Sequence, residues 1–271
     1  SQSPDIVREG NERVLRARLS DAAFFWDSDR KVSLDERVEQ QKKVVWQEKV
    51  GTLYEKTQRI VEIAARIAEE LNRQGKTAPL DIESVKRAAW LCKADLLTEM
   101  VYEFPTLQGI MGYHYALSAG EAEDVAMAVK EHYLPKSFDG DVPETLMGAV
   151  ISIADKIDSI VACFHVGLIP TGSEDPYALR RQAQGIINII LKQDLPINLY
   201  WLIASSEQSS QILGFMKQRL EYALTNRGFL ADTVDAVLEA DFSSPTDALL
   251  RAAALEEIRK MPDIEPLSIS F

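Results

Sequence analysis

A chain of 271 residues with 46% hydrophobic and 27% charged residues, 13 glycines and 11 prolines has room for one large or two modest cores, and excludes disordered and fibrous classes. Its formal net charge of −12 argues against nonspecific, charge-driven attachment to nucleic acid or an anionic membrane, leaving only a local basic patch for such contacts. Two unpaired cysteines in apolar stretches, Cys92 and Cys163, read as buried free thiols of a reducing compartment, with the cytoplasm as the default. No basic segment followed by an apolar core opens the chain, and no run of about 18 apolar residues occurs, so neither a signal peptide nor a membrane span is expected. Both ends, SQSPDIVREG and EPLSISF, read as the middle of something longer.

In chain order, the first 50 or so residues mix charge with Phe24, Phe25, Trp26 and Trp46, an aromatic set that reads as core or interdomain packing. Arg13, Arg16 and Arg18 share an expected helix there, either as a solvated face beside Glu12 and Asp21 or as a polyanion contact. VSLDERV is the nearest approach to a strand pattern, and it is short and charged. From Ile60 the apolar residues Ile63, Ala64, Ile67, Ala68 and Leu71 recur at helical spacing, and Gly75 and Pro79 close that helix. Asp81 is the expected N-cap of a second helix running to about Met100. EFPTLQG breaks it, and Gly109 and Gly112 mark a loop with short helical pieces. A helix starting near Ser118 ends before Pro135, and TLMGAVISIADKIDSIVACFHVGL is a long, mostly buried helix. Further helices are expected after IPTGSEDP, from Ser209 to Asn226, Asp232 to Glu239 and Pro245 to Lys260. The expectation is an all-α fold.

The helix around LCKADLL raises a chemical question. A metal-dependent phosphohydrolase of the HD type needs a His, a His-Asp pair and a distant Asp, because imidazole and carboxylate ligands must hold a divalent ion that polarises phosphate and activates water. Here Asp95 is present, but Ala94 stands where the pair would have its His. Asp155 or Asp158 in IADKID can supply the distant carboxylate, and helical geometry alone puts Asp158 nearer the apolar face. The helix YEKTQRIVEIAARIAEEL carries no His at all. His114 and His132 remain, either as an auxiliary pair or as satisfied structural histidines, and His165 fits a helix C-terminus. Asp95 then needs a neighbour such as Lys93, Lys156 or a backbone amide. A divalent ion between Asp95 and Asp155 is not expected.

GLIPTGSEDPYALRRQ has its own texture. Thr171, Ser173 and Asp175 are good N-caps, Pro176 suits a first turn, and Arg180 and Arg181 follow. Exposed amides beside two arginines could grip phosphate, or the arginines could pair with Glu174 or Asp175 in a well-capped helix.

VREGNERVLRARLSDAAFFWDSDRKVSLDERVEQQKKVVWQEKVGTLYEKTQRI, LCKADLLTEMVYEFPTLQGIMGYHYAL, EHYLPKSFDGDVPE and GLIPTGSEDPYALRRQAQGII resemble the central part of the beta subunit of bacterial glycyl-tRNA synthetase, the heterotetrameric alpha2beta2 type. The resemblance runs from about Val7 to Leu267. It implies a helical lead-in over residues 1–50, a degenerate HD-like helical domain over 51–168, and a helical linker over 169–271 preceding an anticodon-binding domain. By the same resemblance the degenerate HD positions are Ala94, Asp95 and Asp155, with the first His slot near Thr57 or Gln58, and the domain serves binding rather than hydrolysis.

The resemblance further implies that the alpha subunit makes glycyl adenylate from ATP, with Mg, and glycine, while the beta subunit binds tRNA(Gly). The partners are therefore the alpha subunit and tRNA(Gly), with no membrane, no cofactor or metal in this chain, and no catalytic residue of its own. Because phosphates need cationic donors, tRNA contact is expected first at Arg180 and Arg181, then at Lys93, Lys49 and Arg59. The competing readings are an HD-type phosphohydrolase acting on a nucleotide, and a scaffold for the alpha subunit without tRNA contact.

Overall fold

The computed structural model describes residues 4–204 and 206–260. These residues form thirteen α-helices and one two-stranded sheet, so the all-α expectation holds. The long first helix α1 (Pro4–Asp29) is exposed over most of its length, and Arg13, Arg16 and Arg18 lie on that solvated part. Its last turn is tied down. Trp26 stacks on Tyr115 with ring centroids 5.1 Å apart, and Phe25 meets Phe104 edge-on, while Phe24 stays exposed. The buried Asp29 carboxylate accepts from Arg37, from the Tyr115 hydroxyl at 2.7 Å and from the amides of Glu99 and Met100. A buried carboxylate survives here because one cation and three neutral donors replace its water.

VSLDERV is not a strand. It forms α2 (Leu34–Gln40), because Ser33 and Glu36 make a capping box: the Glu36 amide donates to Ser33 Oγ at 3.2 Å and the Ser33 amide to Glu36 Oε2 at 3.0 Å. The reciprocal cap outweighs an alternation too short to fill a sheet face. The strands are β1 (Val45–Gln47) and β2 (Gly51–Thr52), a hairpin that leads into the next helix.

Helix α3 (Leu53–Gln74) opens on a second capping box, Thr52 with Glu55, and closes at Gly75, whose φ of 64° is the left-handed C-cap that glycine tolerates best. Its stripe of Ile60, Ala64, Ile67, Ala68 and Leu71 is buried, as the periodicity requires. Asp81 caps α4 (Ile82–Leu91), accepting from the Ser84 amide at 2.8 Å. That helix stops well short of Met100. The backbone leaves helical geometry at Lys93 (φ −109°, ψ 6°), passes through a 3₁₀ turn over Ala94–Leu97, and restarts as α5 (Glu99–Glu103) capped by Thr98.

GYHYAL, expected as loop with short helical pieces, lies in a helix of nine residues, α6 (Ile110–Ser118). Ser118 therefore ends one helix rather than starting the next, and α7 (Glu123–Glu131) begins after Ala122. Helix α8 (Leu146–His165) is buried on nearly every side between α3, α7 and α9 (Leu179–Lys192). Burying an isoleucine there contributes about 1.5–3 kcal/mol each relative to exposure, and Ile151, Ile153, Ile157, Ile160, Ile186, Ile187 and Ile189 are all fully buried. The short α10 (Leu199–Ile203), α11 (Ser209–Thr225), α12 (Ala231–Ala240) and α13 (Pro245–Arg259) complete the chain. One continuous set of buried apolar residues runs from Leu34 to Ala252, crossing residues 50 and 168. Cys92 and Cys163 are buried free thiols within it. Among the described residues no helix is long and apolar enough to cross a membrane.

Candidate functional site

The centre of the molecule is a cluster of charges that helix geometry makes unavoidable. On α3, Lys56 lies within the apolar stripe, three residues after Leu53 and four before Ile60, so its ammonium is carried into the core. There it finds α8. Lys56 Nζ lies 2.9 Å from Asp155 Oδ1, 3.0 Å from Asp158 Oδ2, 2.8 Å from Ser159 Oγ and 3.1 Å from the Asp155 carbonyl. Lys93, at the break after α4, reaches the other oxygen of Asp155 at 2.6 Å, and its ammonium also sits 4.3 Å from the Tyr133 ring centre. Burial alone would raise the Asp155 carboxyl, but the two ammoniums hold it well below the usual range, while the carboxylates of Asp155 and Asp158 raise Lys56 against its own burial. Both aspartates lie on the buried side of α8, so burial does not choose between them; Arg59, one turn after Lys56, takes Asp158 from the other side at 2.5 Å.

Lys156 is different. Its buried ammonium donates to the Leu134 carbonyl at 2.8 Å, Ser152 Oγ at 2.7 Å and the His132 carbonyl at 3.2 Å, all neutral acceptors. Burial pushes it down to about 7; Asp155 opposes that shift, and Lys93, Lys56 and Arg181 add to it.

Asp95 is completely buried and pairs with neither Lys93 nor Lys156. Its Oδ2 accepts from the Gly109 amide at 2.6 Å and its Oδ1 from the Tyr133 hydroxyl at 3.0 Å. Burial raises its pKa, and those two donors only partly restrain the shift. Two glycines let the chain close on this carboxylate: a Cβ at Gly109 (φ 82°) would lie 2.8 Å from Tyr133, and one at Gly112 would lie 2.9 Å from Val129 and 3.2 Å from Asp95 Oδ2.

The histidines stay apart from this cluster's chemistry. His132 is fully buried, hydrogen-bonds the Val129 carbonyl through Nδ1, and is held neutral by its burial; its Nε2 has no partner among the described residues. His114 is exposed on α6, and His165 ends α8. Thr57 is buried against Gln41 at 2.7 Å and Gln58 is exposed, so the residue of α3 that meets Asp155 is Lys56, just before them. Among the described residues no group of three His, Cys, Asp or Glu side chains is placed to hold a metal. The donor set does not suit one: both Asp155 oxygens face ammoniums, and Asp95 is enclosed by neutral donors.

Above Asp155 opens a cleft of about 550 Å³ whose charged lining is Lys56, Lys93, Lys136, Lys156, Arg181 and the single carboxylate Asp155. A family model described as glycyl-tRNA synthetase beta subunit matches residues 1–239. The chain is 47% identical to the glycine--tRNA ligase beta subunit of Geotalea uraniireducens, covering 100% of this chain and 40% of that protein. It is 46% identical to the Geobacter sulfurreducens protein of that name, again over 100% and 40%, and 47% identical to that of Syntrophotalea carbinolica, over 98% and 40%. The chain belongs to the glycyl-tRNA synthetase beta subunit family. It spans 40% of the length of these curated relatives.

Within this family member the five cations singled out in the sequence do not share one place. Lys93 and Arg181 line the cleft. Lys49 and Arg59 line a separate cavity of about 520 Å³, together with Arg66, Glu62, Asp158 and His165. Arg180 lines neither, and Pro176 precedes the helix rather than entering it, because α9 starts at Leu179. Asp175 caps that helix from outside, accepting from the amides of Leu179 at 2.7 Å and Arg180 at 2.9 Å, so these amides are already filled. Neither arginine pairs with Glu174 or Asp175 among the described ion pairs. Lys56, Lys136 and Lys156 went unnamed as contacts in the sequence. Lys56 and Lys156 left a signal there, each a lysine within an apolar helical stretch.

Proposed function

We propose that the chain is a tRNA-engaging part of a glycine--tRNA ligase beta subunit, supporting ATP-dependent attachment of glycine to tRNA(Gly) by chemistry performed in the alpha subunit. The observation that carries this reading is the mouth of the cleft: Lys136 and Arg181 exposed there above Lys93, in a chain whose net charge is −12. Lys136 and Arg181 make no ion pair among the described residues, and two exposed cations beside a third with donor capacity to spare are what an RNA phosphate requires. The family relationship supplies the class of polyanion. Two alpha and two beta subunits, ATP with Mg bound in the alpha subunit, and a cytoplasmic setting complete the proposal.

A phosphohydrolase reading finds less support. Its water-activating ion would need carboxylate oxygens that two lysines already hold. A scaffold without tRNA contact would leave the lysine-rich cleft without a role.

The test uses the beta subunit containing this chain, assembled with its alpha subunit. Reversing Lys136 and Arg181 together to Glu is expected to raise the KM for tRNA(Gly) about tenfold or more, and to flatten its salt dependence by about two counterions. Adenylate formation from glycine and ATP should be unchanged. An unaltered KM and salt slope would end the reading.

A further inference from the structure

The cleft is open to solvent, but it is too small to seat a duplex. A cavity of about 550 Å³ lies in the range that encloses a small ligand. The phosphates of a paired stem can touch its rim, but only an unpaired or free nucleotide can fill it. The lining is graded accordingly.

At the floor, Lys56 is spent on Asp155, Asp158 and Ser159, which leaves nothing for a ligand. Lys93 makes one ion pair and has donor capacity remaining. Lys136 and Arg181 are exposed at the mouth and make no ion pair among the described residues. Lys156 is buried with neutral acceptors only, and its depressed pKa is the mark of a cation lacking an anion.

The rest of the lining is neutral. Trp46 on β1 is half-buried, with the Lys56 ammonium 4.7 Å from its ring centre, and Thr106, Gln108 and Gln182 offer hydroxyl and amide groups. An aromatic ring beside cations and amides matches the parts of a nucleotide: a π-face for the base, hydrogen-bonding groups for its edge, and charge for its phosphate.

We propose that this cleft binds a single unpaired nucleotide, its phosphate held by Lys93, Lys136 and Arg181 and its base against Trp46. The nucleotide is either free or part of an RNA strand, and only the second source rests on the tRNA reading above.

The chain can be labelled with 5-fluorotryptophan and the Trp46 resonance assigned with Trp46→Phe, since there are four tryptophans. Titration with AMP is expected to move that signal saturably. Inorganic phosphate should bind roughly tenfold more weakly, because it lacks the stacked base, and adenosine should bind weakly because it lacks the charge. Measured by isothermal titration, Trp46→Ala should reduce AMP binding to the level of inorganic phosphate, and the double change Lys136→Glu with Arg181→Glu should remove both. A single-stranded oligonucleotide should compete with AMP, and a blunt RNA duplex should not.

AMP binding no tighter than inorganic phosphate, or equal competition by duplex and single strand, would overturn the proposal. If tRNA(Gly) binds and responds to the charge reversal while AMP leaves Trp46 unmoved, the nucleotide site fails and the tRNA reading stands. If AMP binds and tRNA(Gly) does not displace it, the nucleotide site stands with a free nucleotide as its occupant, and the KM test above decides the tRNA reading.

Discussion

Two cavities of similar size flank the same stretch of α8, and both are lined with basic residues, yet they are electrostatic opposites. In the one holding Lys49, Arg59 and Arg66, the carboxylates Glu62 and Asp158 share the lining: Arg59 is bound to Asp158, and Arg66 lies over the Trp201 ring at 5.5 Å. In the cleft above Asp155, Lys136 and Arg181 make no ion pair among the described residues, and Lys93 makes one. A cation indicates a binding site only when its charge is not already compensated, and a sequence shows the cations without showing their partners.

The sharpest way to break this contrast is to remove the carboxylate that the cleft does have. Asp155→Ala strands the buried Lys93 ammonium, while Lys56 keeps Asp158, and should destabilise the chain by about 3–5 kcal/mol in a urea titration. A loss under about 1 kcal/mol would mean that Lys93 escapes to water and that the floor is not rigid. The same comparison in ligand binding comes next. Lys136→Glu with Arg181→Glu should weaken tRNA(Gly) binding about tenfold or more, whereas Lys49→Glu, in the balanced cavity, should change it by no more than about twofold to threefold. Equal effects would erase the distinction between the cavities.

Asp95→Asn tests the neutral counterpart of Asp155. An amide can accept only one of the hydrogen bonds from Gly109 and Tyr133, so a loss of about 1–2 kcal/mol is expected, clearly less than at Asp155. Arg59→Ala should cost less again, about 0.5–1 kcal/mol, because its side chain is one-third exposed and Asp158 keeps Lys56.

The smallest effect concerns pH. Below about 7 both the folded and unfolded chains carry the Lys156 charge, and its burial penalty is complete. Between about 7 and the ordinary lysine range, the folded chain has released a proton that the unfolded chain keeps, so this group's contribution to stability rises with pH. An anion in the cleft should offset the penalty, so sulfate at constant ionic strength should raise the Tm by a degree or more at about pH 6 and by less at about pH 9. An equal increment at both pH values would separate Lys156 from the site.

Local chemistry settled much of this protein from the sequence alone. The α3 stripe, the Asp81 cap, the Gly75 stop, the buried α8 and the two buried thiols all follow from spacing and residue type within about 20 residues. The misreadings were local competitions as well: the capping box at Ser33 overrode a strand-like alternation, and the break at Lys93 divided what periodicity joined. The site was different in kind. Lys93, Arg181 and Asp155 were named in advance, but nothing in the sequence linked Lys56 to an aspartate 99 residues away, set Asp95 against Gly109 and Tyr133 instead of a lysine, or separated Arg59 and Lys49 from the cleft. Ion pairing depends on which helix faces meet, and only the packing of α3, α8 and α9 around one core decides that.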